Sequence, residues 1–152
     1  MHFYELIKDL SENNKLKIYV DMDGVIVSYD VGKAYGFRNK RPLFTNIETL
    51  RKISALNNVE LNILSICRLD SQIDEKNDWL DEYASFFDRS KRNIISKESN
   101  PEISSKELKL NFLKSLNNED KIVLIDDDND ILHTIRKNLS DVILFQDSEL
   151  VD

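Results

Sequence analysis

Two short apolar runs drive straight into aspartates. The first reads KIYVDMDGVIV over residues 17–27 and the second VLIDDDND over 123–130. Runs this short and this apolar are strands rather than helices. Carboxylates are poor strand formers, so each strand should stop where its aspartates begin, at the carboxyl end of a sheet. Side chains alternate along an extended chain, which turns Asp21 and Asp23 to one side and Met22 to the other. Gly24 then admits a turn closed to other residues. Two carboxylates about 4 Å apart repel by roughly 4 kcal/mol at an effective dielectric near 20. Charges set this way call for a cation, or for a proton on one member.

The rest of the chain alternates helix with strand. Phe3, Leu6, Ile7 and Leu10 carry helical spacing, and the first strand follows at about 16–20. A helix over about 45–56 places Ile47, Leu50 and Ile53 on one side, and VELNILSI (59–66) is a second strand. Trp79, Tyr83, Phe86 and Phe87 read as core positions on a helix starting near Asp74. NII (93–95) is a short third strand, and Ser104 with Glu107 suggests a capping box for a helix carrying Leu110, Leu113 and Leu116. After the fourth strand, KIVLI, residues Ile131, Leu132, Ile135 and Leu139 mark a helix, and DVILF (141–145) a fifth strand. This order predicts an α/β fold: a Rossmann-like parallel sheet of about five strands with helices on both faces. Ligands of such sheets bind beyond the carboxyl ends of the strands, where Asp21, Ser65 and Asp126 fall.

Length and charge narrow the partners. A chain of 152 residues suits one domain, expected to span 1–152. No apolar run approaches the roughly 18 residues of a membrane span, and MHFYELIKDL lacks the pattern of a signal peptide. Cys67 is the one cysteine, which excludes an internal disulfide and fits a reducing cytoplasm. The net charge of −7 argues against long nucleic acid as a partner, yet leaves room for a small anion held locally. The basic clusters KAYGFRNKR (33–41) and RSKR (89–92) read first as solvated loop charges.

The aspartates suit a hard, oxygen-seeking ion such as Mg²⁺, since His2 and His133 lie outside these runs. Calcium loops of the EF-hand type fail on spacing. They need Gly at position six and Glu at twelve; counted from Asp21 these are Ile26 and Gly32, and from Asp126 they are Ile131 and Lys137.

DMDGV after an apolar strand, ILSI late in the second, a lysine on a later helix and VLIDD ending the fourth together resemble the four motifs of the haloacid-dehalogenase-like (HAD) phosphohydrolases. The resemblance runs from about residue 16 to 145. A two-component receiver domain uses similar residues, but its acidic pair ends the first strand and its lysine the last, an order this chain does not follow. The HAD resemblance implies that Asp21 is the nucleophile that becomes an aspartyl-phosphate. Asp23 would protonate the leaving oxygen and then activate water, with its backbone carbonyl as a second metal contact. Ser65 and the amide of Ile66 would hold phosphoryl oxygens, and Arg68 could reach a substrate anion. A lysine would balance the growing charge. KLNFLKSL matches the family's lysine followed by apolar residues four and seven positions later, which selects Lys109 ahead of Lys106 and Lys97. For the last motif, a strand ending in IDD points to Asp127 as the Mg²⁺ ligand with Asp126 orienting the site. An ungapped match instead selects Asp126, supported by Asp130.

No domain-sized insertion follows Gly24 or Ser65, so the expected site is capless and open. Only an aromatic flap around Tyr29, Tyr35 and Phe37 would cover it. Such a site suits a large substrate, or a small one enclosed by a partner subunit in a homo-oligomer. The layout looks most like the 5′(3′)-deoxyribonucleotidase branch, with the aromatics stacking on a base and Arg38, Lys40 or Arg41 meeting a second anion. A nucleoside monophosphate is therefore the favoured substrate, against sugar phosphates and polynucleotide 3′-phosphates. The contrasting expectation is a phosphate-binding or regulatory module of HAD fold with little turnover.

Overall fold

Leu16–Val20 (β1) lies at the centre of a five-stranded sheet in a computed structural model that describes residues 2–29, 36–116 and 119–151. Val59–Cys67 (β2) and Lys121–Asp126 (β4) flank it, and Arg92–Ser96 (β3) and Ile143–Gln146 (β5) form the edges, giving the order β3-β2-β1-β4-β5. Every pairing is parallel. This is the α/β sheet that the alternating pattern predicts.

Strand alternation builds two cores. Ile18 and Val20 of β1, with Val123 and Ile125 of β4, pack beneath the helices Phe3–Asn13 (α1), Phe44–Ser54 (α2) and Ser71–Tyr83 (α3). Tyr19, Leu64, Ile122 and Leu124 point the other way, onto Ser105–Lys114 (α4) and Asn129–Asn138 (α5). A sheet covered on both sides explains why its central strands are apolar at nearly every position. Ser104 caps α4, its hydroxyl accepting the Glu107 N–H at 3.3 Å, which is the serine's half of the expected capping box.

The helix placed around Trp79 begins earlier than expected and ends at Tyr83, so Phe86 and Phe87 lie beyond it. Arg92 explains the stop. Its side chain donates to the Phe87 carbonyl at 2.9 Å and to the Asn77 carbonyl and side chain at 3.2 Å, and pairs with Asp81 at 2.8 Å. Those bonds fold the chain back toward β3 and leave Phe87 buried against Phe86. Arg92 thus serves as an internal tie rather than a solvated loop charge.

The described residues between Gly24 and α2, 25–29 and 36–43, are tied to one another near the sheet. Ser28 donates its N–H to the Arg41 carbonyl at 2.9 Å, and Leu43 donates to Ile26 at 2.8 Å, pinning both ends of the excursion. Trp79 donates from Nε1 to the Lys40 carbonyl at 2.9 Å, which fixes where Lys40 leaves the backbone. Lys33 and Tyr35 lie outside the described residues. Among the described residues no cap domain covers the carboxyl edge of the sheet, and no helix is long and apolar enough to cross a membrane.

Candidate active site

The parallel register sets Val20 beside Ile125, so the next residues, Asp21 and Asp126, emerge from adjacent strands at one edge. Asp21 extends the ladder by one bond, its N–H donating to the Ile125 carbonyl at 3.0 Å. Both carboxylates are buried, Asp126 completely. Lys109 reaches them from α4: its Nζ lies 2.6 Å from Asp126 Oδ2 and 3.1 Å from Asp21 Oδ1. Leu108, Leu110 and Leu113 bury that stretch of the helix, and Lys109 itself is 1% exposed. Lys106, by contrast, is exposed.

Burial dominates the electrostatics of this group. It pushes Asp21 up to about 6, aided by the Asp126 carboxylate and opposed by Lys109. Burial likewise pushes Asp126 up against the pull of Lys109. Burial works against the Lys109 ammonium too, but the two carboxylates outweigh it and hold the lysine charged. Two buried acids thus share one internal cation.

Asp127 turns outward beside them. Burial and the Asp21 carboxylate push it up, while the Tyr29 hydroxyl donates to its Oδ2 at 2.5 Å and works the other way. Gly24 makes room for this contact. Its φ is +82°, and a Cβ there would lie 2.0 Å from Asp127 Oδ2 and 2.7 Å from the Tyr29 ring. The turn is closed beneath by the Met22 carbonyl, which accepts the N–H groups of Val25, Ile26 and Val27 at 3.0–3.1 Å. Gly24→Ala is therefore expected to displace Asp127 and, where the wild type takes up Mg²⁺, to weaken that binding by about tenfold or more. Titration calorimetry on the folded variant checks this, and unchanged affinity would detach Asp127 from the metal.

Asp21, Asp126 and Asp127 each offer an oxygen within 4.8 Å of the others. The donor set is all carboxylate, with no sulfur or imidazole, and its two buried members resist ionising without added positive charge. Those residues fit a hard divalent cation.

Asp23 stands apart from this group. Its Oδ1 accepts from Lys40 at 3.0 Å and its Oδ2 from Lys76 at 3.1 Å. Burial tends to raise it, yet Lys76 and Lys40 together hold it below the usual carboxylate range. Lys76 is 3% exposed and also donates to Ser65 Oγ at 2.7 Å and to the Ile66 carbonyl at 3.1 Å. No motif singled it out. The available signal was helical spacing, since Lys76 precedes the buried Trp79 and Leu80 by three and four residues on α3.

An open cavity of about 390 Å³ gathers Asp21, Asp23, Ile66, Lys109, Asp126 and Asp127 on its walls, together with Tyr29 and Lys40. Ser65 is not on the wall. β2 continues two residues past it to Cys67, and Ser65 is fully buried under Lys76. Arg68 is exposed and away from the cavity lining. Phe37, expected in a flap, is buried edge-on to Trp79 with Lys76 and Lys40 over its ring, so its face is taken. Arg38 pairs with Glu75 and Asp78 on α3. Among the described residues, Tyr29 is the exposed aromatic that remains at the rim.

The chain matches no protein-family model and no curated protein. Among solved structures it is similar to a chain of the Pnkp1/Rnl/Hen1 complex, with a TM-score of 0.68 and 16% sequence identity. The match covers 88% of this chain and 46% of that one, so this chain spans less than half of its neighbour's length. At that identity the likeness is one of fold: a Rossmann-like parallel α/β sheet, as the order of strands and helices predicts.

Proposed function

We propose that residues 1–152 form one hydrolase domain, a Mg²⁺-dependent phosphomonoesterase that works through an aspartyl-phosphate on Asp21. The observation that carries this reading is a buried carboxylate, Asp21, opening onto a cavity between an internal ammonium and an acidic cluster. A phosphate ester carries negative charge and would be repelled by bare aspartates. Asp21 and Asp127, with Asp126 behind them, would hold a cation, which when bound would reverse that field and draw charge from the phosphoryl oxygens.

In the first step an Asp21 oxygen attacks phosphorus, forming the O–P bond as the bond to the ester oxygen breaks. The departing oxygen takes a proton from the Asp23 carboxyl. Asp23 then removes a proton from water, whose oxygen attacks phosphorus, releasing inorganic phosphate and the free Asp21 carboxylate. Lys109 offsets charge on Asp21 throughout, and Ile66, on the cavity wall, would offer its amide to a phosphoryl oxygen. Lys40 and Lys76 hold Asp23 ionised in the free site. Lys40 is the more exposed of the two, so it is the partner that turns to the substrate anion and lets Asp23 accept its proton.

Tyr29 at the rim offers a face for a base, which favours a nucleoside monophosphate as substrate. The open rim supports a second reading, the 3′-phosphorylated end of a polynucleotide. The test is a panel of deoxynucleoside 5′- and 3′-monophosphates, 3′-phosphorylated oligonucleotides, sugar phosphates and a generic aryl phosphate, with Mg²⁺ and with EDTA. Turnover lost in EDTA supports the enzyme. Beryllofluoride binding without turnover of any ester would instead make the protein a phosphate-binding module.

Metal placement has its own test. Asp127→Ala should raise the Mg²⁺ concentration for half-maximal activity by about tenfold or more, whereas Asp130→Ala on α5 should shift it far less. Equal shifts would mean that the acidic run has been read in the wrong register.

A further inference from the structure

Lys76 has three N–H donors and spends all three. They go to Ser65 Oγ at 2.7 Å, the Ile66 carbonyl at 3.1 Å and Asp23 Oδ2 at 3.1 Å. The first two partners belong to β2, the sheet strand beside β1, and the third to the turn that carries the acid. The ammonium is buried, so losing any one bond would leave a desolvated donor without a partner. Lys40, the other cation on Asp23, is different. It is half-buried, sits on the cavity wall and donates from its ammonium to Asp23 Oδ1.

We propose that Lys76 is the positioning residue for Asp23, anchored by Ser65 and the Ile66 carbonyl. This inference rests on the phosphatase reading, because it concerns the aim of the group that protonates the leaving oxygen. Lys76 pins Oδ2 against the rigid sheet and leaves Oδ1 as the oxygen that works, freed when Lys40 moves. Ser65 then acts one layer back. Its oxygen is an acceptor that fixes Lys76, which explains why this serine is fully buried and off the cavity wall. The arrangement ties the acid to β2 through a side chain of α3, so Asp23 does not depend on the short turn at Gly24 alone for its direction.

The test uses two esters that differ in how much they need an acid. An alkyl phosphate leaves as a strongly basic alkoxide and requires its proton; p-nitrophenyl phosphate leaves as a weak base and does not. The readout is kcat/KM, which covers the step in which the leaving group departs. Lys76→Met should lower kcat/KM for the alkyl ester by about a hundredfold, but for the aryl ester by about tenfold or less. Ser65→Ala, which removes one oxygen from a buried site, should shift the same ratio in the same direction by about threefold to tenfold. It carries the test should Lys76→Met fail to fold. Equal losses on both esters, in either variant, would reduce Lys76 to a packing role and overturn the proposal. A wild-type protein that hydrolyses neither ester would overturn the phosphatase reading itself, and this inference with it.

Discussion

Asp21→Asn is expected to abolish turnover while making the metal-free protein more stable at neutral pH. The loss of activity, about a thousandfold or more, follows from the proposed mechanism, in which Asp21 is the attacking carboxylate. The gain in stability follows from burial. In the folded protein Asp21 sits at about 6, above the ordinary aspartate range. A group raised on folding contributes most below its unfolded pKa, and that contribution fades as pH rises through the folded value. Ionised Asp21 therefore costs the metal-free protein on the order of 3 kcal/mol above about pH 6. Denaturation midpoints in EDTA should show the Asp21→Asn variant close to wild type near pH 4 and ahead of it at pH 7. The same difference at both values would mean that Asp21 ionises freely in the fold. Added Mg²⁺ should close the gap by stabilising wild type.

Lys109→Met is expected to have the largest effect on folding. It leaves Asp126 buried and Asp21 nearly so, with no ammonium between them, and the loss should be about 3–5 kcal/mol without metal. The exposed Lys106→Met should stay within about 0.5 kcal/mol of wild type. Mg²⁺ should raise the melting temperature of Lys109→Met by more than it raises that of wild type, because the divalent cation replaces part of the missing charge. Equal gains in the two proteins would show that metal and Lys109 do not share those carboxylates.

The fold was largely legible because its signals are redundant. Apolar runs bounded by polar turns locate all five strands, and the two-faced burial of Leu16–Val20 and Lys121–Asp126 is written in residue type alone. The ends of elements were harder to see. Nothing local in WLDEYASFF marks Tyr83 as the last helical residue, because the stop comes from Arg92, which lies beyond that stretch and folds back onto it. In the site, Lys109 stood out through the apolar residues that follow it. Lys76 did not, since a lysine on a helix is ordinarily solvated, and its burial depends on Ser65 and Asp23 being across the way. Phe37 misled for the related reason that an aromatic in a loop looks available until its packing partner, here Trp79, is known.

The central position of β1 has a consequence for how the chain assembles. Its partner β2 comes after one crossover helix, but β4 comes only after β2, α3, β3 and α4 have been made. Until then one edge of Leu16–Val20 has no partner, an unpaired apolar edge of the kind that invites association between nascent chains. The late segment that closes this edge also carries the charges of the site. Lys109 precedes Asp126 on that segment, and in the folded protein the two pair across the α4–β4 connection. A growing chain thus acquires the neutralising lysine before the second carboxylate, so Asp21 meets Asp126 as half of a pair rather than as a bare negative charge.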